Sequence, residues 1–276
     1  MANRKVLDPE QSPNAAFGAR LRSLRDERGW TQDELGVRLG CSGAHISAVE
    51  TGRRTPTRTF AASADRAFAL GDQLQRQSQS LRFRALLEGF PEYVTHEARA
   101  TEIRLYEVGV IPGLLQTPEY ATALGDSTVK RGVATKEQAD ERIRMIAQRQ
   151  ASLVRVPSPL IFVVLDESCL LRPIGGDTLM DAQFDRLIEF AELPNTVLQV
   201  APFSIGVRRP MTLPVTLLTM PDRSLMSYAE SANRGHLERD AASVLPLLTD
   251  YHQLQAEALS RASSIALISK LRKGTP

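Results

Sequence analysis

The fold of this chain is constrained most by one stretch, which begins at Thr31 and reads TQDELGVRLG CSGAHISAVE TGRRTP. The side-chain oxygen of Thr31 can cap the first free amides of a helix, in which Leu35 and Leu39 lie four residues apart on one face. Gly40 is placed to end this helix, and Ser42 can cap another one directly after it. The stretch therefore predicts two short helices joined by a tight turn.

The second predicted helix also carries an apolar face. Ile46 and Val49 are three residues apart and can bury this helix against the first one. Gly52 ends the helix, and Pro56 follows. Two short helices joined by a tight, Gly-containing turn form a helix-turn-helix motif, whose second helix can enter the major groove of DNA. The pattern predicts binding to double-stranded DNA.

Residues at both ends of this stretch carry a family resemblance. Thr-Gln and then Leu-Gly at one end, and Ile-Ser-x-x-Glu-x-Gly-Arg-Arg-x-Pro at the other, resemble the XRE family of Cro and lambda-repressor type regulators. The resemblance covers roughly residues 15–70. It implies a mostly α N-terminal domain of the five-helix, helix-turn-helix type.

Individual roles follow from this resemblance by position. It implies that Gln32 binds a phosphate and that Arg25 forms a structural ion pair with Glu50. Together with the polar side chains nearby, it gives a set of expected DNA-binding residues. These are Thr31, Gln32, Ser42, Gly43, Ala44, His45, Ser47, Ala48, Arg53 and Arg54.

Three of the groove-facing positions are small. Gly43, Ala44 and Ala48 cannot make bidentate contacts to bases, although an alanine methyl group can touch the methyl group of thymine. His45 and Ser47 are the polar alternatives for base readout. For His45, a phosphate contact or a solvated surface position remains open.

Net charge limits how such a domain can hold DNA. The 276 residues carry 34 Lys and Arg against 32 Asp and Glu, a net charge of +2. Without a bulk basic field, we expect DNA affinity to depend on a few side chains that contact mostly phosphate. These are Gln32, Ser42, Arg53 and Arg54.

Other classes of protein lack support in the sequence. Two cysteines far apart make neither a disulfide framework nor a zinc site, and the histidines are isolated, so no cofactor or metal is expected. No nucleophile with a base can be assembled, which argues against an enzyme. No apolar run approaches the ~18 residues of a membrane span, and the N-terminus lacks a signal-peptide core. We expect a cytoplasmic protein without a membrane association.

Composition along the chain divides it into four segments. Residues 1–13 lack periodicity and are a predicted flexible arm. Residues 14–72 form the predicted helix-turn-helix domain, and residues 73–90, rich in Gln and Ser, a helical linker. Residues 91–272 form a larger predicted domain.

The larger domain mixes short apolar runs with helical patterns. Strands are predicted at 160–165, 197–200, 215–220 and 225–229, and helices at 94–104, 140–153, 177–192, 236–248 and 250–271. These elements predict an α+β domain with a small sheet.

This domain carries a second resemblance. The phrases PGLLQTPEYA, LDESCLLRPIGG and MDAQFDRLIEFAELPNTVLQVAPFSIG are similar to the C-terminal domain of XRE regulators from filamentous actinobacteria, often described as antitoxin-like. The resemblance covers roughly residues 85–270 and implies a small partner protein encoded beside this chain. The candidate partner-binding residues are Ile111, Leu114, Leu115 and Tyr120. The alternative is that these four side chains belong to the core.

The sequence thus predicts a sequence-specific DNA-binding transcriptional regulator. A homodimer on a short inverted repeat is expected, because one recognition helix reads few bases and two-fold proteins match two-fold sites. Two alternatives remain: a ligand-responsive regulator with a small-molecule site in the C-terminal domain, and an interaction module whose DNA binding is vestigial.

Overall fold

The computed structural model describes residues 13–83, 89–231 and 234–272. The chain divides into two compact units, with the boundary between Ala85 and Leu86. The predicted flexible arm lies outside the described residues except for Pro13, which begins the first helix.

The described part of the N-terminal unit is entirely helical. Its helices are α1 (Pro13–Glu27), α2 (Gln32–Leu39), α3 (Gly43–Glu50), α4 (Arg58–Phe68) and α5 (Gln73–Phe83). The side chains of Thr31, Ser42 and Thr57 cap the N-termini of α2, α3 and α4. Gly40 ends α2 with a φ of 72°, a left-handed conformation that glycine adopts without strain. The prediction of a mostly α, helix-turn-helix domain is confirmed.

Apolar side chains from all five helices share one core. Each helix contributes at least one fully or almost fully buried side chain, namely Phe17, Leu21, Leu35, Ile46, Val49, Phe60, Ala61, Ala64, Phe68 and Leu74. The aromatic ring of Trp30 stacks on that of Phe68 at a centroid distance of 5.4 Å. The face of α3 that carries Ile46 and Val49 is therefore turned inward, and its opposite face is turned out.

α1 and α3 approach each other closely at Gly18. A Cβ atom added at this position would lie 2.3 Å from the carbonyl oxygen of Glu50 and 2.5 Å from that of Val49. Only glycine permits this backbone contact, so Gly18 sets the distance between α1 and the C-terminal end of α3.

The predicted helical linker over residues 73–90 includes α5, which packs in the N-terminal unit, and residues 84–88, which lie outside the described residues. Leu74 is fully buried, and Asp65 of α4 accepts the backbone amides of Leu74 at 2.8 Å and Gln75 at 2.9 Å. The composition of α5 is mainly polar, and it gives little indication that Leu74 is buried or that Asp65 of α4 caps the helix. α5 thus belongs to the N-terminal unit.

The C-terminal unit combines a mixed sheet with helices on both faces. Its strands are β1 (Glu102–Glu107), β2 (Leu160–Asp166), β3 (Thr196–Ala201), β4 (Val215–Thr219), β5 (Leu225–Glu230) and β6 (Gly235–Glu238). Its helices are α6 (Phe90–Glu97), α7 (Pro118–Lys130), α8 (Lys136–Leu153), α9 (Ser168–Leu171), α10 (Asp177–Glu192), α11 (Ala241–Glu257) and α12 (Arg261–Arg272). The predicted α+β class is confirmed.

The six strands form one sheet in the order β3-β2-β1-β4-β5-β6. β1 is parallel to β2, and β2 is parallel to β3, whereas β4, β5 and β6 pair antiparallel. The predicted strand–helix–strand unit, β2-α10-β3, therefore joins parallel strands.

The strand at the centre of the sheet differs from the sequence prediction. Residues 94–104 were expected to be helical, but α6 ends at Glu97 and Glu102 begins β1. The charged residues Glu102 and Arg104 interrupt the apolar pattern of this strand, and in the structure they pair with each other. The ion pair satisfies both charges and allows the strand to lie inside the sheet.

The end of the chain also differs from the prediction. The helix expected from residue 236 begins only at Ala241, capped by Asp240, because residues 235–238 form the edge strand β6. The helix expected over residues 250–271 is interrupted between α11 and α12.

Helices cover both faces of the sheet. α6, α7, α10 and α12 pack on one face, with Tyr93, Tyr120, Leu187 and Ile268 in a common core. α11 packs on the other face through Val244, Tyr251 and Leu254. No helix of the described segments is long and apolar enough to cross a membrane.

The candidate partner-binding residues lie in the first of these cores. Ile111, Leu115 and Tyr120 are 0% exposed and Leu114 is 3% exposed, so the prediction that they form a partner-binding surface is wrong. The segment folds inward as a short 3-10 turn, and Gln150 donates to its backbone at Gly113 O and Gln116 O, both at 2.9 Å. The turn residues thus mark a buried corner, and the apolar side chains beside them are core.

Candidate nucleic-acid interface

The first helix of the motif begins with a reciprocal cap. Thr31 Oγ1 accepts the amide of Glu34 at 3.1 Å, and a Glu34 carboxylate oxygen accepts the amide of Thr31 at 2.7 Å. The bond from the Thr31 amide first, and then a bond that the Thr31 hydroxyl donates to the same carboxylate at 3.1 Å, lower the pKa of Glu34. A carboxylate of the chain itself therefore occupies the start of α2 near Thr31, where the sequence suggested a phosphate.

Glu50, the last residue of α3, is fully buried and connects three helices. It accepts hydrogen bonds from Arg25 Nε at 2.6 Å, Arg25 Nη2 at 3.1 Å, Arg22 Nε at 3.3 Å and Gln32 Nε2 at 2.8 Å. Arg25 also donates to the carbonyl of Trp30 at 2.7 Å. The hydrogen bond to Glu50 is the largest cause of a raised pKa at Arg25. The pair expected between Arg25 and Glu50 is thus part of a larger network that holds α1, α2 and α3 together.

Gln32, for which the resemblance implies a phosphate contact, also takes part in the Glu50 network. One N–H of its side-chain amide donates to Glu50 inside the network, and the second N–H of the same nitrogen is left for a phosphate contact. In the structure, Gln32 orients the recognition helix from the start of α2.

The outward face of α3 is a stripe of four small residues. Ala44, Ser47, Ala48 and Thr51 follow one another at helical spacing and are exposed or half-buried. The Thr51 hydroxyl donates to the carbonyl of Ser47 at 2.7 Å, which leaves the Ser47 hydroxyl as the polar group nearest the middle of the stripe. Such a surface can approach base edges closely and can offer methyl contacts to thymine.

Gly43 lies at the side of this stripe against α2. A Cβ atom here would be 1.9 Å from Asp33 Oδ1, so any side chain would displace Asp33. Gly43 therefore allows α2 and α3 to pack, and it contributes only backbone to a DNA surface.

His45 packs against α4. Its ring stacks on that of Phe60 at a centroid distance of 5.4 Å and an angle of 15°. Burial first, and then the charge of Arg54, lower the pKa of His45 below its usual 6.5. The imidazole is therefore neutral at pH ~7 and half-buried, lateral to the outward stripe.

The positive charge of the surface lies beyond the C-terminal end of α3. Arg53 and Arg54 are both exposed, and Arg53 Nε donates to Thr51 Oγ1 at 3.0 Å. At the opposite end, Ser42 caps α3 by accepting the amide of His45 at 3.2 Å. The two arginines thus lie beyond one end of the outward stripe, and the Ser42 cap lies at its other end.

Family comparisons agree with this division of the chain. A model described as "Helix-turn-helix domain" matches residues 16–77, and a model described as "Domain of unknown function (DUF5753)" matches residues 90–270, well over half of the 276 residues. The chain belongs to the DUF5753 family. Comparison with the curated proteins and with the solved structures gave no match. The N-terminal unit is a helix-turn-helix domain, and its match extends into α5.

Sequence reasoning missed residues of this DUF5753 protein's candidate interface and of the Glu50 network behind it. Arg22 precedes Arg25 by about one helical turn, a spacing that places both guanidinium groups on the same face of α1. Thr51 follows Ala44 by two turns and could have been found in the same way. The stacking of His45 on Phe60 left no local signal, because the two residues lie in different helices.

Proposed function

We propose that this DUF5753 protein is a sequence-specific transcriptional regulator of the XRE type. It binds a short inverted repeat in double-stranded DNA as a homodimer in the cytoplasm, and it acts by binding, without catalysis. The observation that carries the proposal is the outward face of α3 (Ala44, Ser47, Ala48 and Thr51), flanked by Arg53 and Arg54, in a domain that matches the helix-turn-helix model.

Affinity and sequence preference come from different parts of this surface. Arg53 and Arg54 contact phosphates, which positions the protein without reading sequence. The small side chains of the stripe allow α3 to lie deep in the major groove, where methyl contacts, the Ser47 hydroxyl and DNA shape provide discrimination. The Glu50 network holds α3 at a fixed angle to the rest of the domain.

A variant of the stripe tests the DNA-binding proposal. Ala44 is exposed in the first turn of α3, so Ala44→Glu places a carboxylate against DNA while remaining compatible with the helix dipole. We expect it to abolish binding to the promoter region of the chain's own gene in a gel shift, with an unchanged melting temperature. The control is Gln73→Glu, which adds the same charge at an exposed position of α5 and should bind as the wild type does. Equal binding by both variants would contradict a groove-facing α3.

The dimer has a separate test. Analytical ultracentrifugation with and without the DNA site should show two copies of the chain per inverted repeat. A single copy on the complete repeat would contradict the dimer and leave DNA binding by α3 intact.

The C-terminal unit binds a small protein encoded beside this chain, in keeping with the resemblance to antitoxin-like regulators. Since the side chains of Ile111, Leu114, Leu115 and Tyr120 lie in the core, the partner requires another surface. The segment 203–213 offers exposed apolar side chains: Phe203 is 57% exposed and Leu213 is 74% exposed. To change DNA occupancy, the partner must bind the free and DNA-bound forms with different affinities.

Co-purification with the encoded neighbour, followed by a gel shift with and without it, tests this part of the proposal. Phe203→Ser combined with Leu213→Ser should prevent the complex, whereas Leu193→Ser, which changes an exposed leucine at the end of α10, should not. Absence of a complex would leave the C-terminal unit with a role in dimerisation and stability only.

A further inference from the structure

A cavity of about 690 Å³ lies within the C-terminal unit. Its walls come from α6, α7 and α8, from the segment between β1 and α7, and from strands β1, β4 and β5. Its size is in the range of small-molecule sites, which hold most of a ligand's surface out of water. The proposed DNA and partner surfaces do not use this cavity.

One wall of the cavity is aromatic and held rigidly. The rings of Tyr93 and Tyr228 stack at a centroid distance of 4.0 Å, and the guanidinium carbon of Arg149 lies 5.2 Å from the ring centre of Phe90. Glu97 accepts Arg149 Nε at 2.7 Å and Nη2 at 2.8 Å, and it also accepts the hydroxyl of Tyr93. The charge of Arg149 is therefore neutralised inside the wall, where Arg149 serves to position the aromatic rings.

Gln116, which lines the cavity, carries a buried hydrogen-bond acceptor that has no partner among the described residues. The residue is 7% exposed, and its Nε2 donates to the carbonyl of Ile111 at 2.7 Å, which fixes the orientation of the amide. Among the residues that the structure describes, no donor reaches the buried Oε1 atom. A buried acceptor without a partner is unfavourable, and this one marks the wall around Gln116 as imperfectly satisfied.

Glu107 gives the same cavity a poorly paired carboxylate. In the described part of the chain, one hydrogen bond reaches its carboxylate, from the amide of Val108 at 3.2 Å. Burial, more than any other cause, raises the pKa of Glu107 to about 7, and the charge of Glu230 contributes in the same direction. Glu230 also lines the cavity and accepts the hydroxyl of Tyr228 at 2.9 Å.

The charges that line the cavity favour a cationic ligand over an anionic one. Glu107 and Glu230 are the acids, and Arg142 and Arg149 are the bases. Arg149 is committed to Glu97, and Arg142 is exposed to solvent. The carboxylate of Glu107, with one hydrogen bond from the described residues, accepts further hydrogen bonds, so the complementary molecule supplies donors.

We propose that this cavity binds a largely apolar small molecule that carries a protonated amine. The amine pairs with Glu107, with Glu230 as the second acid. The aromatic and aliphatic walls bury the rest of the molecule. The proposed DNA surface does not use this site, so the C-terminal unit can bind the small molecule whether or not the N-terminal unit is bound to DNA.

A matched set of fluorescent probes tests the charge preference of the cavity in the full chain. Dansylcadaverine carries an amine, dansylamide is neutral and dansylglycine is an anion, whereas the dansyl group is common to all three. We expect dansylcadaverine to bind at least about tenfold more tightly than dansylglycine, with dansylamide between them, as one well-placed charge pair predicts. Equal affinities, tighter binding of the anion, or no saturable binding of the amine would each overturn the proposal.

Variants then assign the preference to the cavity. Glu107→Gln should lower the affinity for dansylcadaverine at least about fivefold and leave that for dansylamide unchanged, because only the charge is removed. Glu119→Gln is the control, since Glu119 is exposed on α7 outside the cavity. Thr128→Trp, which fills the cavity from α7, should exclude all three probes. A cation preference that survives Glu107→Gln would place the amine elsewhere. Should that variant not fold, Glu230→Gln at the exposed rim provides the same comparison.

Discussion

Arg25 on α1 holds Glu50 at the end of α3 through two hydrogen bonds, from Nε at 2.6 Å and from Nη2 at 3.1 Å. The carboxylate lies at the C-terminal end of a helix, where the helix dipole disfavours a negative charge. Arg25, Arg22 and Gln32 compensate for this position and for full burial. The buried charge network around Glu50 thus helps to fix the orientation of α3.

Removing Glu50 should destabilise the N-terminal domain. Glu50→Ala removes the two closest carboxylate contacts of the buried Arg25 guanidinium and leaves Asp26, at 2.8 Å from Nη1, as a partner for its charge. Loss of one member of a buried pair costs up to about 3–5 kcal/mol. We expect a clear drop in melting temperature, with weaker DNA binding as a consequence. The control is Glu27→Ala, an exposed acid of α1, which should change stability by less than about 0.5 kcal/mol. A Glu50→Ala variant with the wild-type melting temperature would contradict the role of the network.

Substitution of Gly18 should also destabilise the N-terminal domain, for a steric reason. Gly18→Ala brings a methyl group to 2.3 Å from the carbonyl oxygen of Glu50, so α1 and α3 must move apart. Overpacking of this kind typically costs about 1–3 kcal/mol. Thermal unfolding measures the loss of stability. Gly29→Ala is unsuitable as a control, because Gly29 has a positive φ of 66°. Ala16→Gly, at a half-buried position of the same helix, gives the cost of helix propensity alone, about 1 kcal/mol.

Arg53 and Arg54 should contribute affinity without contributing sequence preference. Changing both to alanine should weaken binding to every duplex and reduce the slope of log affinity against log salt by about one unit per lost phosphate contact. Fluorescence anisotropy over a range of salt concentrations measures this slope. Arg66→Ala removes an exposed arginine of α4 and should leave the slope unchanged. An unaltered slope in the double variant would remove both arginines from the interface.

Substitution of His45 should change the stability of the domain, and substitution of Ser47 should change the readout of bases. His45→Ala loses the stacking on Phe60 and should cost about 0.5–1.5 kcal/mol of stability, with the preferred DNA sequence retained. Ser47→Ala should alter the preferred sequence and leave the melting temperature unchanged, because Ser47 lies on the outward stripe. Selection of binding sites from random oligonucleotides measures the preference. An altered preference in His45→Ala, with none in Ser47→Ala, would reverse the two roles.

Glu107 should make the C-terminal unit less stable at high pH. Because burial raises the pKa of its carboxyl from 4.5 to about 7, the folded state binds more protons than the unfolded state between these two values. The free energy of unfolding therefore falls as the pH rises through this window, by up to roughly 3 kcal/mol. Glu107→Gln should flatten this dependence and increase stability at pH ~8. Urea unfolding at a series of pH values measures it, with Glu119→Gln as the variant that should keep the wild-type slope.

Local signals in the sequence predicted several elements closely. Thr31, Gly40 and Ser42 were expected to bound the two helices of the motif, and they cap α2 and α3 in the structure. Strands β2 and β3 follow from their apolar runs. Each of these features depends on backbone dihedrals, caps or periodicity within a few residues, which the sequence specifies directly.

Burial and long-range partners were decided by the tertiary structure. Apolar Leu114 and Leu115 read equally well as a partner-binding surface or as core, and only the helices packed over them make them core. The charges of Glu102 and Arg104 interrupt the apolar pattern that would predict the central strand β1, and only the structure shows that these two side chains pair. The same holds for Glu50, whose compensating groups come from two other helices. The sequence by itself thus determined the local elements and the helix-turn-helix motif. Only packing between distant segments decided which face of each element is buried and which charges meet, because those contacts join residues that no local pattern connects.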